Sequence, residues 1–170
     1  TLMSFFLGVA AYTNTFVAQY TGAGAHERVG ACLWQGIYFS LLAGLLLAGA
    51  SFLGEDIFRL GGHPPEIQQL ETTYFRILML FAVFNVMHDT LGCFYSGRGL
   101  TIAVMLISLI GAAVNIPLNY IMINGLLGLP EMGIAGAAWA TVLSHALIML
   151  LYIALIFRPR NNIRYGLWKA

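Results

Sequence analysis

Two asparagines, Asn115 and Asn119, lie one helical turn apart in a long apolar segment without charged residues. Pro117 stands between them and lacks the amide hydrogen that would bond the carbonyl of Ala113 in a helix. Side chains four residues apart share a helix face, so the two amide oxygens and the freed carbonyl are predicted to converge. Such oxygen groups suit a small hard cation, which makes Asn115 and Asn119 candidate sodium ligands. Hydrogen bonds to neighbouring helices, or repair of the break at the proline, are the structural alternatives.

Two further apolar segments carry polar groups that could handle a proton or a cation. Asn85 and Asp89 are spaced to share a helix face, with His88 one residue aside. Because an acid in hydrocarbon is costly, this polar network is predicted to face a protein interior. Thr141 and His145 lie one turn apart on another segment. Helix–helix hydrogen bonds and a packing role for the histidine are the alternatives.

The first apolar segment has a polar stripe. Tyr12, Thr15 and Gln19 fall on one side of a helix beside Asn14, and the stripe is a candidate lining for a substrate cavity. By contrast, the sequence has no Gly-rich phosphate loop before a lysine and no Gly-x-Ser-x-Gly motif. We therefore predict no catalytic residues, and a protein that is not an enzyme and binds no nucleic acid.

Composition explains why these polar groups are informative. Of the 170 residues, 59% are hydrophobic and 9% are charged, whereas soluble domains are about half apolar and a quarter charged. About 20 apolar residues span a bilayer as a helix. The chain is predicted to be an all-α, polytopic transmembrane bundle over residues 1–157, followed by a basic cytoplasmic loop or tail, 158–170. The five predicted spans are 2–20, 30–53, 72–95, 101–123 and 134–157.

Positive charge is distributed unevenly between the two predicted sides of the membrane. Alternating topology places six cations on one side, against Arg59 and Arg76 on the other, and the positive-inside rule makes the first side cytoplasmic. Those six are Arg28, Arg98, Arg158, Arg160, Arg164 and Lys169. Thr1 would then lie outside, and an odd number of spans predicts that further helices belong to a longer protein. The glycine-rich turn at 96–100 predicts that the helices on either side of it are antiparallel neighbours.

Several short motifs lie along the predicted helices and turns of the chain. They are Val17-Ala18-Gln19, Gly22-Ala23-Gly24, Gly97-Arg98-Gly99, Asn115-Ile116-Pro117-Leu118-Asn119-Tyr120, and Met132-Gly133-Ile134-Ala135-Gly136 followed by Ala140-Thr141. In this combination the chain resembles the multidrug and toxic compound extrusion (MATE) transporters, in particular their NorM-like branch. The resemblance covers nearly the whole chain.

The resemblance implies a twelve-span transporter of two lobes, in which this chain supplies the second to sixth spans of the amino-terminal six-helix lobe. It also implies a coupling-ion or proton site formed by Asn115, Asn119 and Thr141, with an acid contributed from upstream of Thr1. Ion binding would bend the helix at Pro117. Some relatives have Asp where this chain has Asn119, so the choice between sodium and proton stays open.

The function implied is a secondary active antiporter of the bacterial inner membrane. It would export amphipathic or cationic organic compounds in exchange for sodium ions or protons, with no cofactor beyond the coupling ion, as a monomer surrounded by lipid. A lipid-linked sugar flippase of the same superfamily is one alternative, although few intramembrane cations are present. A receptor or scaffold that transports nothing is the other.

Overall fold

The computed structural model describes residues 2–168, and within that range the chain is helical and has no strand. The predicted positions of Thr1 and Lys169 concern residues outside this range. The helices are α1 (Leu2–Gly22), α2 (His26–Ala50), α3 (Gly54–Leu60), α4 (Pro65–Leu80), α5 (Ala82–Ser96), α6 (Thr101–Asn124), α7 (Gly133–Ile156) and α8 (Pro159–Tyr165), with a 3-10 turn at Ser51–Leu53. The predicted all-α fold is confirmed.

Three helical segments of the described range are long and apolar enough to cross a bilayer, namely 26–60, 101–124 and 133–156. The pair α4 and α5 would make a fourth if counted as one bent span. The central polar residues of α1 lower its hydropathy, and α1 is not among these segments. The protein is therefore a multi-pass helical bundle, and the count of five spans stays a prediction.

The predicted span 72–95 is divided into two helices. The axes of α4 and α5 differ by 49°, and Phe81 at the junction leaves the helical region with φ −108° and ψ 18°. No proline or glycine marks this position, so the break was missed in the sequence. The Phe81 ring packs against Trp139 of α7 at a centroid distance of 5.0 Å, so an aromatic contact between helices accompanies the bend.

Small residues allow close packing of α2 with α1 and α5. A Cβ at Gly36 would lie 2.6 Å from Thr90 Cγ2 and 2.9 Å from Thr13 Oγ1. One turn later the Ser40 and Thr90 hydroxyls share a buried hydrogen bond of 2.7 Å. Without a hydrophobic force between helices in lipid, such backbone approach and hydroxyl bonding hold a bundle together. Gly36 and Ser40 are four residues apart and therefore share the face of α2 that meets α5.

The helices on either side of the 96–100 turn do not pack as predicted. α6 contacts α5 only slightly and lies chiefly against α7, while α5 packs on α1, α2 and α7. Only Ile107 and Gly111 of α6 are buried within the described chain. A short link keeps helix ends close but does not keep the helices parallel along their length, so the expectation that they are close neighbours was wrong.

The predicted basic tail contains a docked helix. Pro159 begins α8, and Gly166 ends it in the left-handed conformation at φ 62°. The Trp34 indole donates a hydrogen bond of 2.7 Å to the Leu167 carbonyl, which ties the segment to α2. The Asn161 amide donates to the carbonyls of Leu155 and Ile156 at 3.0 Å, where α7 ends.

An arginine joins this docked segment to the turn between α5 and α6. The Arg98 guanidinium lies 3.8 Å from the centroid of the Phe94 ring and 4.9 Å from that of Tyr165, so it bridges α5 and α8 by cation–π contacts. Arg28 lies 5.9 Å from the Tyr20 ring centroid, close to the start of α2 where α8 docks. The turns at Arg28 and Arg98 and the segment 158–168 therefore occupy one end of the bundle, as the alternating topology predicts.

Gly44 provides a test of close packing between α2 and α5. A Cβ there would lie 2.5 Å from Val83 Cβ and 2.9 Å from Val83 Cα, whereas a Cβ at Gly49 of the same helix meets nothing within 4 Å. We expect Gly44→Val to destabilise the full-length protein by about 1 to 3 kcal/mol through overpacking. Gly49→Val is the matched control, because both changes alter helix propensity equally. Thermal unfolding in detergent is the measurement, and equal melting temperatures for the two variants would contradict the packing.

Candidate functional site

Asn115 and Thr141 line one cleft between α6 and α7. The cleft has a volume of about 210 Å³ and is open to the surface of the described chain. Its lining residues are Gly111, Ala112, Asn115, Thr141, Ser144, His145 and Ile148. Asn115 of α6 and the Thr141–His145 pair of α7 therefore meet in a single concave site.

Asn119 supports Asn115 instead of lining the cleft beside it. Its amide nitrogen donates to the Asn115 side-chain oxygen at 2.9 Å and to the Asn115 backbone oxygen at 3.0 Å. The predicted convergence of two amide oxygens with the Ala113 carbonyl is therefore wrong in this detail, because an N–H group occupies one face of the Asn115 oxygen. The donor also reaches the carbonyl of Asn115 and not that of Ala113, so Asn119 does not repair the break at Pro117.

The hydroxyl of Thr141 donates to the Ala137 carbonyl at 3.0 Å. A hydroxyl has one proton and two lone pairs, so this bond leaves its oxygen available as an acceptor or ligand. Asn115 likewise keeps a second lone pair on its side-chain oxygen. Together they offer two neutral oxygens to an ion or a proton donor that enters the cleft.

Helix α6 remains continuous across Pro117, from Thr101 to Asn124. Proline in a helix interior removes one backbone hydrogen bond, so the segment containing Pro117 is the weakest point of the α6 hydrogen-bond ladder. Its position between Asn115 and Asn119 places that weak point beside the cleft.

The glycine at position 111 was not singled out in the sequence, although it lies one turn before Asn115. A Cβ at Gly111 would collide with the Ile148 side chain of α7. The absence of a side chain thus lets α6 and α7 approach at the floor of the cleft. The sequence could have identified Gly111 as part of the site, because residues four apart lie on the same helix face and Asn115 is four residues away.

The polar residues of α5 make contacts in two different parts of the bundle. His88 Nδ1 lies 3.4 Å from the Asp89 carboxylate, and the His88 ring lies 4.8 Å from that of His145 on α7. Asn85 instead donates to the sulfur of Met3 on α1 at 3.7 Å. No group of three or more His, Cys, Asp or Glu side chains within 2–168 is arranged to hold a metal ion.

The stripe on α1 does not form one cavity within the described chain. Asn14 accepts a hydrogen bond of 2.7 Å from Ser96 of α5, whereas Thr15 and Gln19 are exposed. Tyr12 is 65% exposed and borders a groove of about 270 Å³ between α1 and α2. The groove also contains Thr13, Gln35 and several apolar side chains, so it is mixed in character.

Comparisons with known proteins agree with this architecture. Residues 1–121 match the family model described as MatE. The chain is 33% identical over 152 residues to "Probable multidrug resistance protein NorM" of Chromobacterium violaceum, covering 87% of this chain and 33% of that protein. It is 30% identical to "Multidrug resistance protein PmpM" of Pseudomonas aeruginosa, covering 88% and 31% of the two chains.

A solved structure described as the inward-facing conformation of a multidrug resistance MATE family transporter of the MOP superfamily superposes with a TM-score of 0.84. The identity is 26%, and the match covers 94% of this chain and 36% of that one. The chain thus spans about a third of the length of the relatives it matches. On the family model and these matches, the chain belongs to the MatE family of multidrug and toxic compound extrusion transporters.

Proposed function

We propose that this chain is part of a secondary active multidrug efflux antiporter, which exports amphipathic or cationic organic compounds in exchange for sodium ions or protons. We place it in the inner membrane of a bacterium, because the relatives it resembles come from bacteria. The full-length protein works as a monomer within lipid. The observation that carries the proposal is the single cleft that gathers Asn115 and Thr141.

The coupling ion binds in the α6–α7 cleft. Asn115 and Thr141 contribute oxygens, and Asn119 fixes the Asn115 side chain through its two hydrogen bonds. Neutral oxygens bind sodium weakly unless an anionic group joins them, so the site needs a carboxylate from elsewhere in the protein. This requirement agrees with the upstream acid that the family resemblance implies.

Ion binding shifts the protein between its two access states by stabilising one of them. A ligand changes such an equilibrium only through different affinities for the two states. Helix α6 can provide that difference, because Pro117 weakens it beside Asn115 and little of its surface is held by the rest of the described bundle. Movement of α6 against α7 would open or close the cleft and alter the ion's coordination.

Asn115 and Asn124 provide a matched pair for testing the ion site. Both are asparagines of α6, but Asn124 is exposed and its amide bonds the Tyr120 carbonyl away from the cleft. We expect Asn115→Ala to reduce gradient-driven uptake of a fluorescent cationic dye into everted vesicles carrying the full-length protein. Asn119→Ala should weaken the apparent affinity for the coupling ion by about tenfold, since it removes a positioning contact. Asn124→Ala should behave as the wild type.

Each outcome of that experiment separates the hypotheses. Equal dye uptake by the Asn115→Ala and Asn124→Ala variants would show that the coupling ion does not bind in this cleft. Absence of dye flux in the wild type, together with translocation of a lipid-linked sugar, would favour the flippase. Absence of any flux, with ligand-dependent recruitment of a protein to the segment 158–168, would favour a receptor.

Pro117→Ala tests the role of the weak point in α6. The new amide hydrogen can bond the Ala113 carbonyl, and interior proline costs a helix about 3 kcal/mol relative to alanine. We expect a higher melting temperature together with slower dye exchange, because a stiffer α6 moves less readily. Ile116→Ala, at an exposed neighbouring position, is the control. An exchange rate unchanged by Pro117→Ala would exclude Pro117 as the hinge.

A further inference from the structure

A second polar cluster joins α5 to α7 beside the cleft. His88 and Asp89 are contributed by α5 and His145 by α7. The two imidazole rings lie 4.8 Å apart at an interplanar angle of 54°, and His88 Nδ1 lies 3.4 Å from the Asp89 carboxylate. His145 also lines the cleft that contains Asn115 and Thr141. One side chain therefore connects the cluster with the proposed ion site.

The cluster has an unbalanced charge. Within 2–168, the only ion-pair partner of Asp89 is His88, and that pairing is ionic only when the imidazole carries a second proton. His88 Nε2 is buried and makes no hydrogen bond to the described residues. Buried polar atoms without partners are rare in proteins, and a lone carboxylate in a membrane span is costly. A proton shared by these groups would lower both costs.

Other charged groups are remote from this cluster. α1 and α6 contain no charged residue. Of the helices that pack against α5 and α7, α4 places Arg76 in an ion pair with Glu55 and Glu71 beside His63. Glu27 and Arg28 lie in the first turn of α2, beside the docked α8 segment. The titratable neighbours of Asp89 are Cys93 of α5 and Tyr152 of α7, which are both neutral near pH 7 in their ordinary state.

We propose that His88, Asp89 and His145 together bind one proton that enters and leaves through the α6–α7 cleft. The inference rests on the proposed function and extends it, because it adds a proton site made of residues outside the Asn115–Asn119–Thr141 motif. Uptake forms an N–H bond on an imidazole at the expense of an O–H bond of hydronium in the cleft. The resulting imidazolium is paired with the Asp89 carboxylate, and release returns the proton to water.

The proton also affects how α5 and α7 hold together. When the proton is on His145, its imidazolium attracts the Asp89 carboxylate across the contact between α5 and α7, whereas a proton on His88 is paired with Asp89 within α5. Without it, Asp89 is an unpaired anion, and its half-exposed side chain favours a conformation in which water reaches it. The occupancy of this site thereby biases the packing of α7, which also forms one wall of the cleft.

Carbethoxylation by diethyl pyrocarbonate tests the site without relying on transport, because the reagent acylates neutral imidazole only. The full-length protein is treated at pH 6, and the modification of each histidine is measured by mass spectrometry. If Asp89 stabilises a proton on the histidine pair, His145 should react about threefold faster or more in Asp89→Asn than in the wild type. His63, in its outer ion pair with Glu71, is an internal control whose rate should not change.

The outcomes are distinct. An equal His145 rate in the wild type and in Asp89→Asn would overturn the shared proton, and an unreactive His145 at pH 8 would overturn its access from the cleft. His88→Asn should not accelerate the reaction of His145, because Asp89 remains to stabilise a proton on that ring, and Thr73→Ala in α4 should leave the rate unchanged. Melting temperatures identify any variant that fails to fold, and His145→Gln then tests the site through loss of the pH dependence of dye exchange. If the carbethoxylation of His145 is faster in Asp89→Asn but the wild type exports no dye, the proton site is supported and the antiport function is not.

Discussion

The absence of water from the bilayer interior is the constraint on which this structure depends. A polar group in a span is costly unless it finds a partner inside the protein, and two hydroxyls of α7 find it in the carbonyl one turn earlier on their own helix. These bonds are 3.0 Å long at Thr141 and 2.8 Å long at Ser144. Once the proton of a hydroxyl is used in this way, its oxygen is left as an acceptor. The same bonding leaves an acceptor oxygen in the cleft at Thr141. Ser40 and Thr90 differ from this case, because one of the two must donate its proton to the other in the hydrogen bond that joins α2 to α5.

Close approach of helix backbones is a second interaction that holds the bundle together in lipid. A Cβ at Gly136 would lie 2.5 Å from the Met122 carbonyl oxygen, so α7 touches the backbone of α6 at that point. A Cβ at Gly44 of α2 would meet the Val83 Cα of α5, whereas a Cβ at Gly36 would meet the side chains of Thr90 and Thr13. Such contacts bring the helices together at points along their length, and the surfaces between these points enclose grooves. The cleft between α6 and α7 lies between the Gly136 contact and Gly111, which faces the end of the Ile148 side chain.

Much of the fold could be predicted because hydrophobicity and the positions of glycine and proline between helices are local properties of the sequence. The predicted segments overlap α1, α2, the α4–α5 pair, α6 and α7, although α4 begins at Pro65, before the predicted span. The bend at Phe81 escaped prediction because it accompanies an aromatic contact with Trp139, which lies far away in the sequence. Helix α8 was missed because it is short and polar, although Pro159 and Gly166 were visible as its start and end.

For the site, spacing placed Asn115 and Asn119 on one face. Only the packing of α6 on α7 could show that Thr141 and His145 share the cleft and that Asn119 donates to Asn115.

The attachment of α6 along one side has a mechanical consequence. Half of its large apolar residues, among them Leu109, Ile116 and Tyr120, are exposed in the described chain, and α7 provides its principal contact. A tilt of α6 therefore disturbs one interface and leaves the contacts among α1, α2 and α5 intact. The face of α6 that carries Asn115 can therefore move without breaking the contacts that hold the other helices together. A sequence can thus vary the stiffness of this one helix, through residues such as Pro117, without disturbing the packing of the remaining helices.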